Sequence, residues 1–227
     1  HAVNRLATAD AVGMLNELQR ALEVIYGVSA PHKVESFLIG PGALAQLGAR
    51  PRGPEELVLV EDGGNLDLGL YISPEVMARL PALGQHGSHN FLEGLLPAFS
   101  TAAEGVSHFV YLTLQAVRER AVSLLELEVQ AEIDKFATAA LHLWKHGERR
   151  QSTELRARLF DRVGYRSDLS SEERARYGLA NRLARGYAAF LEARFVLPGG
   201  LEGLLRELRH CYRLCAVAKL DHLDQHA

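Results

Sequence analysis

Apolar residues recur at three- and four-residue steps along most of the chain, a spacing typical of amphipathic α-helices. The first run covers residues 10–26, where Asp10 is a suitable N-cap and Gly27 a suitable stop. From Phe91 onward the same spacing continues almost to the end of the chain. Breaks are expected at Pro97, at residues 121–122, at Gly147, at residues 164–168 and at residues 198–200. The pattern predicts an N-terminal helix and a later antiparallel bundle of about five or six helices.

Between residues 34 and 72 the pattern changes to short runs rich in β-forming residues. In the last run Leu66, Leu68, Leu70 and Ile72 alternate with other residues, as in a half-buried strand. It is separated from the run before it by Asp-Gly-Gly-Asn at 62–65, residue types that close hairpins. These runs predict a small antiparallel sheet of three strands, with a helical turn near residues 43–47.

The predicted fold class is therefore α+β and predominantly helical. A small antiparallel three-stranded sheet lies near the N-terminal third and an antiparallel helical bundle follows it. We expect a single domain over residues 1–227, because the chain has no long Ser-, Gly- or Pro-rich linker. Its two subregions would be residues 1–82, with the helix and the sheet, and residues 83–227, with the bundle.

Composition places the chain among ordinary globular proteins. It has 227 residues, of which 48% are hydrophobic and 23% charged. No apolar run approaches the roughly 20 residues needed to cross a bilayer, so a membrane partner is not expected. The only two cysteines, Cys211 and Cys215, stand four residues apart in a predicted helix. This spacing suits small buried side chains in a reducing compartment and favours a cytoplasmic location.

Charge is distributed unevenly along the chain, although the net charge is only −3. Residues 1–144 carry nine Lys and Arg against seventeen Asp and Glu, whereas residues 145–194 carry twelve against seven. Arg174, Arg182 and Arg185 are the candidate interaction residues of this basic region. Acidic residues are interleaved with them, which favours a solvated helix surface. Nucleic acid is therefore an unexpected partner, and another protein or self-association is favoured.

Two predicted helices carry polar stripes that contain candidate metal ligands. On a helical wheel Glu104, His108, Tyr111, Gln115 and Arg118 fall within about 80°. The stripe of the next helix comprises Glu128, Glu132, Lys135, Ala139, His142 and His146. If the stripes face each other, Glu104, His108 and His142 would bind a divalent metal between the helices, with Glu132 as a catalytic base. His86 and His89, in the preceding loop, would be able to complete such a cluster.

A structural role competes with this interpretation. Thr101 and Glu104 match the S/T-x-x-E capping box, in which the Glu side chain bonds back to the N-cap. Ser123 and Glu126 match the same motif in the next helix. Neither helix has the Glu-x-x-His motif of carboxylate-bridged di-metal proteins. The spacing alone is therefore compatible with both a metal site and a capped, solvated helix.

Three functions follow, in decreasing order of preference. The first is a non-catalytic binding or accessory protein that acts through the surface of the helical bundle. The second is a metal-dependent enzyme of the hydrolase or oxygenase type, with the Glu and His residues above. The third is nucleic-acid binding through the Arg-rich region 145–194. Nucleotide-binding signatures do not favour another class, since Gly40-Pro41-Gly42 fits neither glycine-rich phosphate motif.

Overall fold

The computed structural model describes residues 2–46, 50–62, 65–81, 91–162, 164 and 167–227, with the backbone alone for residues 2–8, 61–62 and 65–66. Its α-helices span Ala2–Tyr26 (α1), Pro41–Gln46 (α2), Pro74–Arg79 (α3), Leu96–Val117 (α4), Leu124–Lys145 (α5), Ser152–Arg156 (α6), Ser171–Leu191 (α7), Leu201–Arg213 (α8) and Ala216–Asp224 (α9). Its strands span Leu38–Ile39 (β1), Glu55–Asp62 (β2) and Asn65–Ile72 (β3). The predominantly helical α+β class is confirmed.

Helix α1 is longer than its apolar pattern predicts. It begins at Ala2, so Asp10 lies inside the helix and is not its N-cap. The end is as predicted, because Gly27 adopts a φ of 61°, a left-handed conformation that glycine takes without a Cβ clash. Leu15 and Leu22 are buried on the face that packs against the bundle.

The sheet is mixed, and the prediction of a purely antiparallel sheet is wrong. Strands β2 and β3 form the predicted hairpin, with Asp62 opposite Asn65. Strand β1, however, lies on the other edge of β3 and runs parallel to it. The chain passes through α2 and β2 before it returns as β3, and this crossover lets the first and third strands run in the same direction. The helical turn predicted near residues 43–47 corresponds to α2.

Helix α4 begins five residues before the predicted capping box, and this changes the role of Glu104. Pro97 lies in the first turn, where its missing N–H costs no hydrogen bond, so it does not break the helix. Thr101 therefore lies within α4, and its hydroxyl donates to the carbonyl of Pro97 at 3.1 Å. The capping box of Thr101 and Glu104 is wrong, and the Glu104 carboxylate is available for other contacts.

The other predicted caps agree better with the structure. Ser123 is the N-cap of α5 and accepts a hydrogen bond from the backbone N–H of Glu126. The Glu126 side chain does not return to the cap, since it accepts from Tyr111 and Arg120. A full capping box forms at the start of α7, between Ser170 and Glu173.

Helices α4 and α5 are antiparallel neighbours, as predicted, and their contacts fix the register. The Ser107 hydroxyl of α4 donates to Asp134 of α5 at 2.6 Å. Nearer the turn that joins the two helices, Tyr111 donates to Glu126. One buried apolar cluster includes side chains from α1, β3, α4, α5, α7 and α9. None of the described helices combines the length and the apolar character that crossing a bilayer requires.

A buried polar network joins α1, α4, α5 and α9 on one side of this helix pair. Asp134 is only 2% exposed and accepts hydrogen bonds from Tyr26, Ser107 and Gln130. Lys219 is fully buried and donates to the Tyr111 hydroxyl and to the Gln130 carbonyl, both at 2.8 Å. Burial raises the pKa of Asp134 to about 6, although these donors oppose the shift. The network fixes how α9 and α1 pack on the bundle.

We expect Asp134→Ala to lower the free energy of unfolding by about 3 kcal/mol. The substitution leaves three buried donors without their acceptor and removes the negative charge near the buried Lys219 ammonium. Urea denaturation measures the change. Leu124→Ala, at a side chain that is 60% exposed, is the control and should stay within about 0.5 kcal/mol of wild type. A loss below about 1 kcal/mol for Asp134→Ala would show that the network contributes little.

Candidate metal centre

Three potential ligands converge on the other side of the α4–α5 pair. Glu104 and His108 lie one turn apart on α4, and Glu128 lies on the facing side of α5. One carboxylate oxygen of each Glu and one ring nitrogen of His108 all lie within 4.8 Å of one another. Among the described residues this is the one group of three or more His, Cys, Asp or Glu side chains whose ligand atoms lie this close together.

The imidazole of His108 lies between two carboxylates. Its Nδ1 is 3.8 Å from Oε1 of Glu55, the first residue of β2, and its Nε2 is 3.9 Å from Oε2 of Glu128. The His108 side chain is only 8% exposed, and the two carboxylates are 13% and 12% exposed. Within the described part of the chain, neither His108 Nε2 nor Glu55 Oε2 has a hydrogen-bond partner.

These separations are too long for hydrogen bonds, whose N···O distances are about 2.7–3.2 Å. Two ligand atoms bound to one tetrahedral Zn²⁺ ion, with bonds of roughly 2.0–2.2 Å, lie about 3.3–3.6 Å apart. Nε2 of His108 and Oε2 of Glu128, which are 3.9 Å apart, would therefore need to approach each other slightly to share a cation. The opposite ring nitrogen faces Glu55 at 3.8 Å, and a similar approach would form the hydrogen bond by which a carboxylate orients a metal-binding histidine.

Lys135 provides a fixed positive charge beside the three potential ligands. Its ammonium group donates to Oε2 of Glu104 at 3.1 Å and to Oε1 of Glu132 at 2.8 Å. The lysine side chain is 11% exposed, whereas those of Glu104 and Glu132 are 27% and 21% exposed. Solvent therefore reaches the centre mainly from the side of these two carboxylates.

The electrostatics reflect burial and the high density of carboxylates. Although burial disfavours the imidazolium, the carboxylates of Glu55, Glu104 and Glu128 raise the pKa of His108 to about 9. Burial raises the pKa of Glu128 to about 7 and also raises the pKa of Glu132. Glu104 behaves differently, since Lys135 and His108 outweigh its burial and lower its pKa.

Gly105 explains how the sheet approaches α4 at this point. A Cβ at this position would lie 3.2 Å from Oε2 of Glu55 and 3.1 Å from a methyl group of Leu70. Both distances are tighter than ordinary van der Waals contact, so a Cβ here would displace the Glu55 carboxylate and the Leu70 methyl group by a few tenths of an ångström. The glycine between Glu104 and His108 thus lets Glu55 reach the imidazole.

His142, the third metal ligand predicted from the sequence, is not in the convergent group. Its ring lies 4.5 Å from that of Phe91 and 6.3 Å from that of Phe99, measured between centroids, and 4.7 Å from that of His146. Burial, with the nearby charges of His146 and Lys145, lowers the pKa of His142 to about 4. The α4–α5 register places it opposite the start of α4. His86 and His89 lie outside the described residues.

The remaining predicted site residues are distributed over two regions. Glu132, the candidate base, lies beside the centre and pairs with Lys135. Arg182 pairs with Asp224 at 2.9 Å and Arg185 with Asp161 at 2.6 Å, so both are engaged within the chain. Arg174 also has an interaction partner and is exposed.

Sequence reasoning missed the contribution of the sheet. Glu55 immediately precedes a predicted strand, and no local spacing links it to His108 more than fifty residues later. Glu128 belongs to the predicted stripe, but the predicted ligand set took His142 from that stripe instead. The small residue at Gly105, between two polar residues on one helix face, is the signal that would have indicated close approach by another element.

Comparison with known protein families, curated proteins and solved structures finds no match to this chain.

The raised pKa of His108 predicts how stability depends on pH when no metal is bound. Its unfolded pKa is about 6.5 and its folded pKa about 9. The protonated imidazole therefore stabilises the fold fully below pH 6.5, by on the order of 3 kcal/mol, and this contribution is lost as pH rises to about 9. Urea denaturation with chelator, comparing wild type with His108→Gln, should show a difference at pH 6 that disappears by about pH 9. A difference independent of pH would contradict the assignment.

Proposed function

We propose that this protein binds one divalent metal ion through Glu104, His108 and Glu128, and that it is a metal-dependent enzyme. The observation that carries the proposal is the buried Nε2 of His108, which has no hydrogen-bond partner in the described structure and lies 3.9 Å from Oε2 of Glu128. It belongs to the group in which ligand atoms of Glu104, His108 and Glu128 lie within 4.8 Å of one another. A buried polar atom without a partner is costly, and a bound cation would satisfy it.

The balance of charge supports the same proposal. Four carboxylates, those of Glu55, Glu104, Glu128 and Glu132, lie within 4.0 Å of just two cationic groups, Lys135 and protonated His108. When His108 gives up its proton to bind a metal, these four carboxylates and Lys135 leave three negative charges, and a divalent cation neutralises two of them. Without a cation, protonation of Glu128, whose pKa is raised to about 7, relieves part of the repulsion.

The ligand types restrict the metal. Two carboxylates and one imidazole form a mixed oxygen and nitrogen set without thiolate, which suits Zn²⁺, Mn²⁺ or Fe²⁺ better than Cu⁺. Glu55 lies 3.8 Å from the far ring nitrogen and, on approach to hydrogen-bonding distance, would hold the tautomer in which Nε2 is free to bind. Three protein ligands leave further coordination positions for water or substrate, as catalytic sites require.

Hydrolysis is the reaction class that these residues support best. A divalent ion in the centre would polarise a substrate and lower the pKa of a bound water. Burial raises the pKa of Glu132, which makes its carboxylate a stronger base, and the side chain lies on the partly exposed side, where it would take up a proton from such a water. Lys135 holds Glu132 and Glu104 in position through its two hydrogen bonds.

Two other functions drawn from the sequence stay predictions. The accessory protein acting through the bundle surface has no observation of comparable specificity behind it. For nucleic-acid binding, two of the three candidate arginines, Arg182 and Arg185, already form ion pairs within the chain. Neither function requires a buried cluster of carboxylates, so the metal centre distinguishes them from the proposed enzyme.

Metal titration tests the proposal. Calorimetry with Zn²⁺ or Mn²⁺ on chelator-treated protein should give one ion per chain, and affinity should increase up to about pH 9 because binding displaces the proton of His108. His108→Ala and Glu128→Gln should each weaken binding at least about tenfold by removing a ligand, and Glu55→Gln by about 10–100-fold through the lost orienting contact.

His142→Ala is the matched control for His108→Ala, because it removes an imidazole that lies among aromatic rings rather than in the convergent group. Its metal affinity should equal that of wild type. If His142→Ala weakens binding and Glu128→Gln does not, the ligand set is the one predicted from the sequence. If no divalent ion binds to the wild type at pH 8–9, a range around the pKa of His108, the proposed function is wrong.

A further inference from the structure

A cationic and phenolic pair on α7 lies beside the proposed metal centre. Arg176 and Tyr177 are adjacent in the first half of α7, and both side chains are partly buried. The guanidinium carbon of Arg176 is 5.3 Å from the centroid of the Tyr177 ring. Neither residue belongs to the ligand set or to the pair of carboxylates that Lys135 holds.

The geometry of α7 directs this pair towards α5. Tyr177, Ala180 and Ala184 are spaced by three and four residues and so share one face of the helix. Ala180 and Ala184 are 1% exposed and form part of the buried cluster through which α7 packs against α5. Tyr177 lies on the same face, nearer the N-terminus of α7. At that end of α7, Glu173 lies 3.9 Å from Arg52, which is three residues before the start of β2 and Glu55.

Electrostatic coupling agrees with this placement. Burial and the charges of Glu128 and Glu104 raise the pKa of Tyr177, so its hydroxyl lies within the field of both proposed ligands. Arg176 in turn opposes the rise in the pKa of Glu128. Arg176 nevertheless makes no ion pair within 4.0 Å in the described structure, and its buried Nε has no hydrogen-bond partner there. Its donors are thus not used by the carboxylates beside it.

We propose that Arg176 and Tyr177 bind the phosphate group of a ligand whose other phosphate oxygens face the metal centre. This inference rests on the metal site proposed above, because without a cation the surrounding carboxylates repel an anion. A guanidinium offers several N–H donors in a planar fork that matches phosphate oxygens, and a phenol adds one more. A phosphate also has enough oxygens and charge to bridge a divalent ion and an arginine. The substrate class is therefore an organic phosphate.

The experiment uses the full chain loaded with Mn²⁺ and titrates inorganic phosphate by calorimetry at fixed ionic strength. Phosphate should bind to the Mn²⁺ form and not to the chelator-treated form. Acetate, at the same concentrations, should bind at least about tenfold more weakly, because it carries one charge and two oxygens. Equal binding of acetate and phosphate would overturn the choice of phosphate.

Arg176→Gln separates a phosphate-binding role from a structural one. It should weaken phosphate binding about tenfold or more while Mn²⁺ binding stays unchanged or becomes tighter, since a repelling charge near Glu128 is removed. Tyr177→Phe should weaken phosphate binding by a smaller factor. Arg20→Gln is the control, because it removes the same charge at an exposed site on α1. It should change neither the phosphate affinity nor the Mn²⁺ affinity.

The two proposals fail in different ways. If Mn²⁺ binds but phosphate does not, or if Arg176→Gln binds phosphate as wild type does, the phosphate inference is overturned and the metal site stands. If neither Mn²⁺ nor any other divalent ion binds, both are overturned. If a folded Arg176→Gln variant loses affinity for Mn²⁺ and for phosphate to the same extent, Arg176 stabilises the metal centre and does not bind phosphate. That result would also overturn the phosphate inference.

Discussion

The antiparallel contact between α4 and α5 is the constraint on which the rest of the structure depends. One register places polar side chains opposite each other on two sides of the same helix pair. On one side Ser107 meets Asp134, and on the other His108 meets Glu128. Because polar groups inside a protein are stable only when they are matched, a shift of one turn would leave several buried groups unpaired at once. The two networks therefore support each other by specifying the same alignment.

The two networks differ in how completely they are satisfied. Both oxygens of Asp134 accept hydrogen bonds, and Lys219 is held by two acceptors and by the faces of two tyrosine rings. The nearby Tyr212 hydroxyl and Oε2 of Glu126, however, have no partner in the described structure. Around His108 the described structure leaves one ring nitrogen and one carboxylate oxygen without partners. Because the imidazole with the unpaired nitrogen belongs to the convergent group of potential ligands, this side of the helix pair is the one with room for a cation.

The sequence predicted the main elements of the fold because helical periodicity, caps and the hairpin are local signals. It predicted the helix pair and two of the three convergent side chains, Glu104 and His108. The errors came from non-local geometry. Starting α4 at Thr101 made Glu104 a cap, and the predicted ligand set took His142 from the stripe of α5 instead of Glu128. The approach of Glu55 depends on how a strand packs across a helix, and no spacing within one segment encodes that contact.

Lys135 provides the last constraint on the centre. Its ammonium group already lies between Glu104 and Glu132, at hydrogen-bonding distance from both. A helical bundle with this many carboxylates would otherwise have enough ligands for two adjacent metal ions. A fixed positive charge in that position repels a second cation and leaves the face formed by His108 and Glu128 as the place where a divalent ion is favoured. In the proposed centre the number of ions would thus depend on one lysine, and the position of the ion on the imidazole.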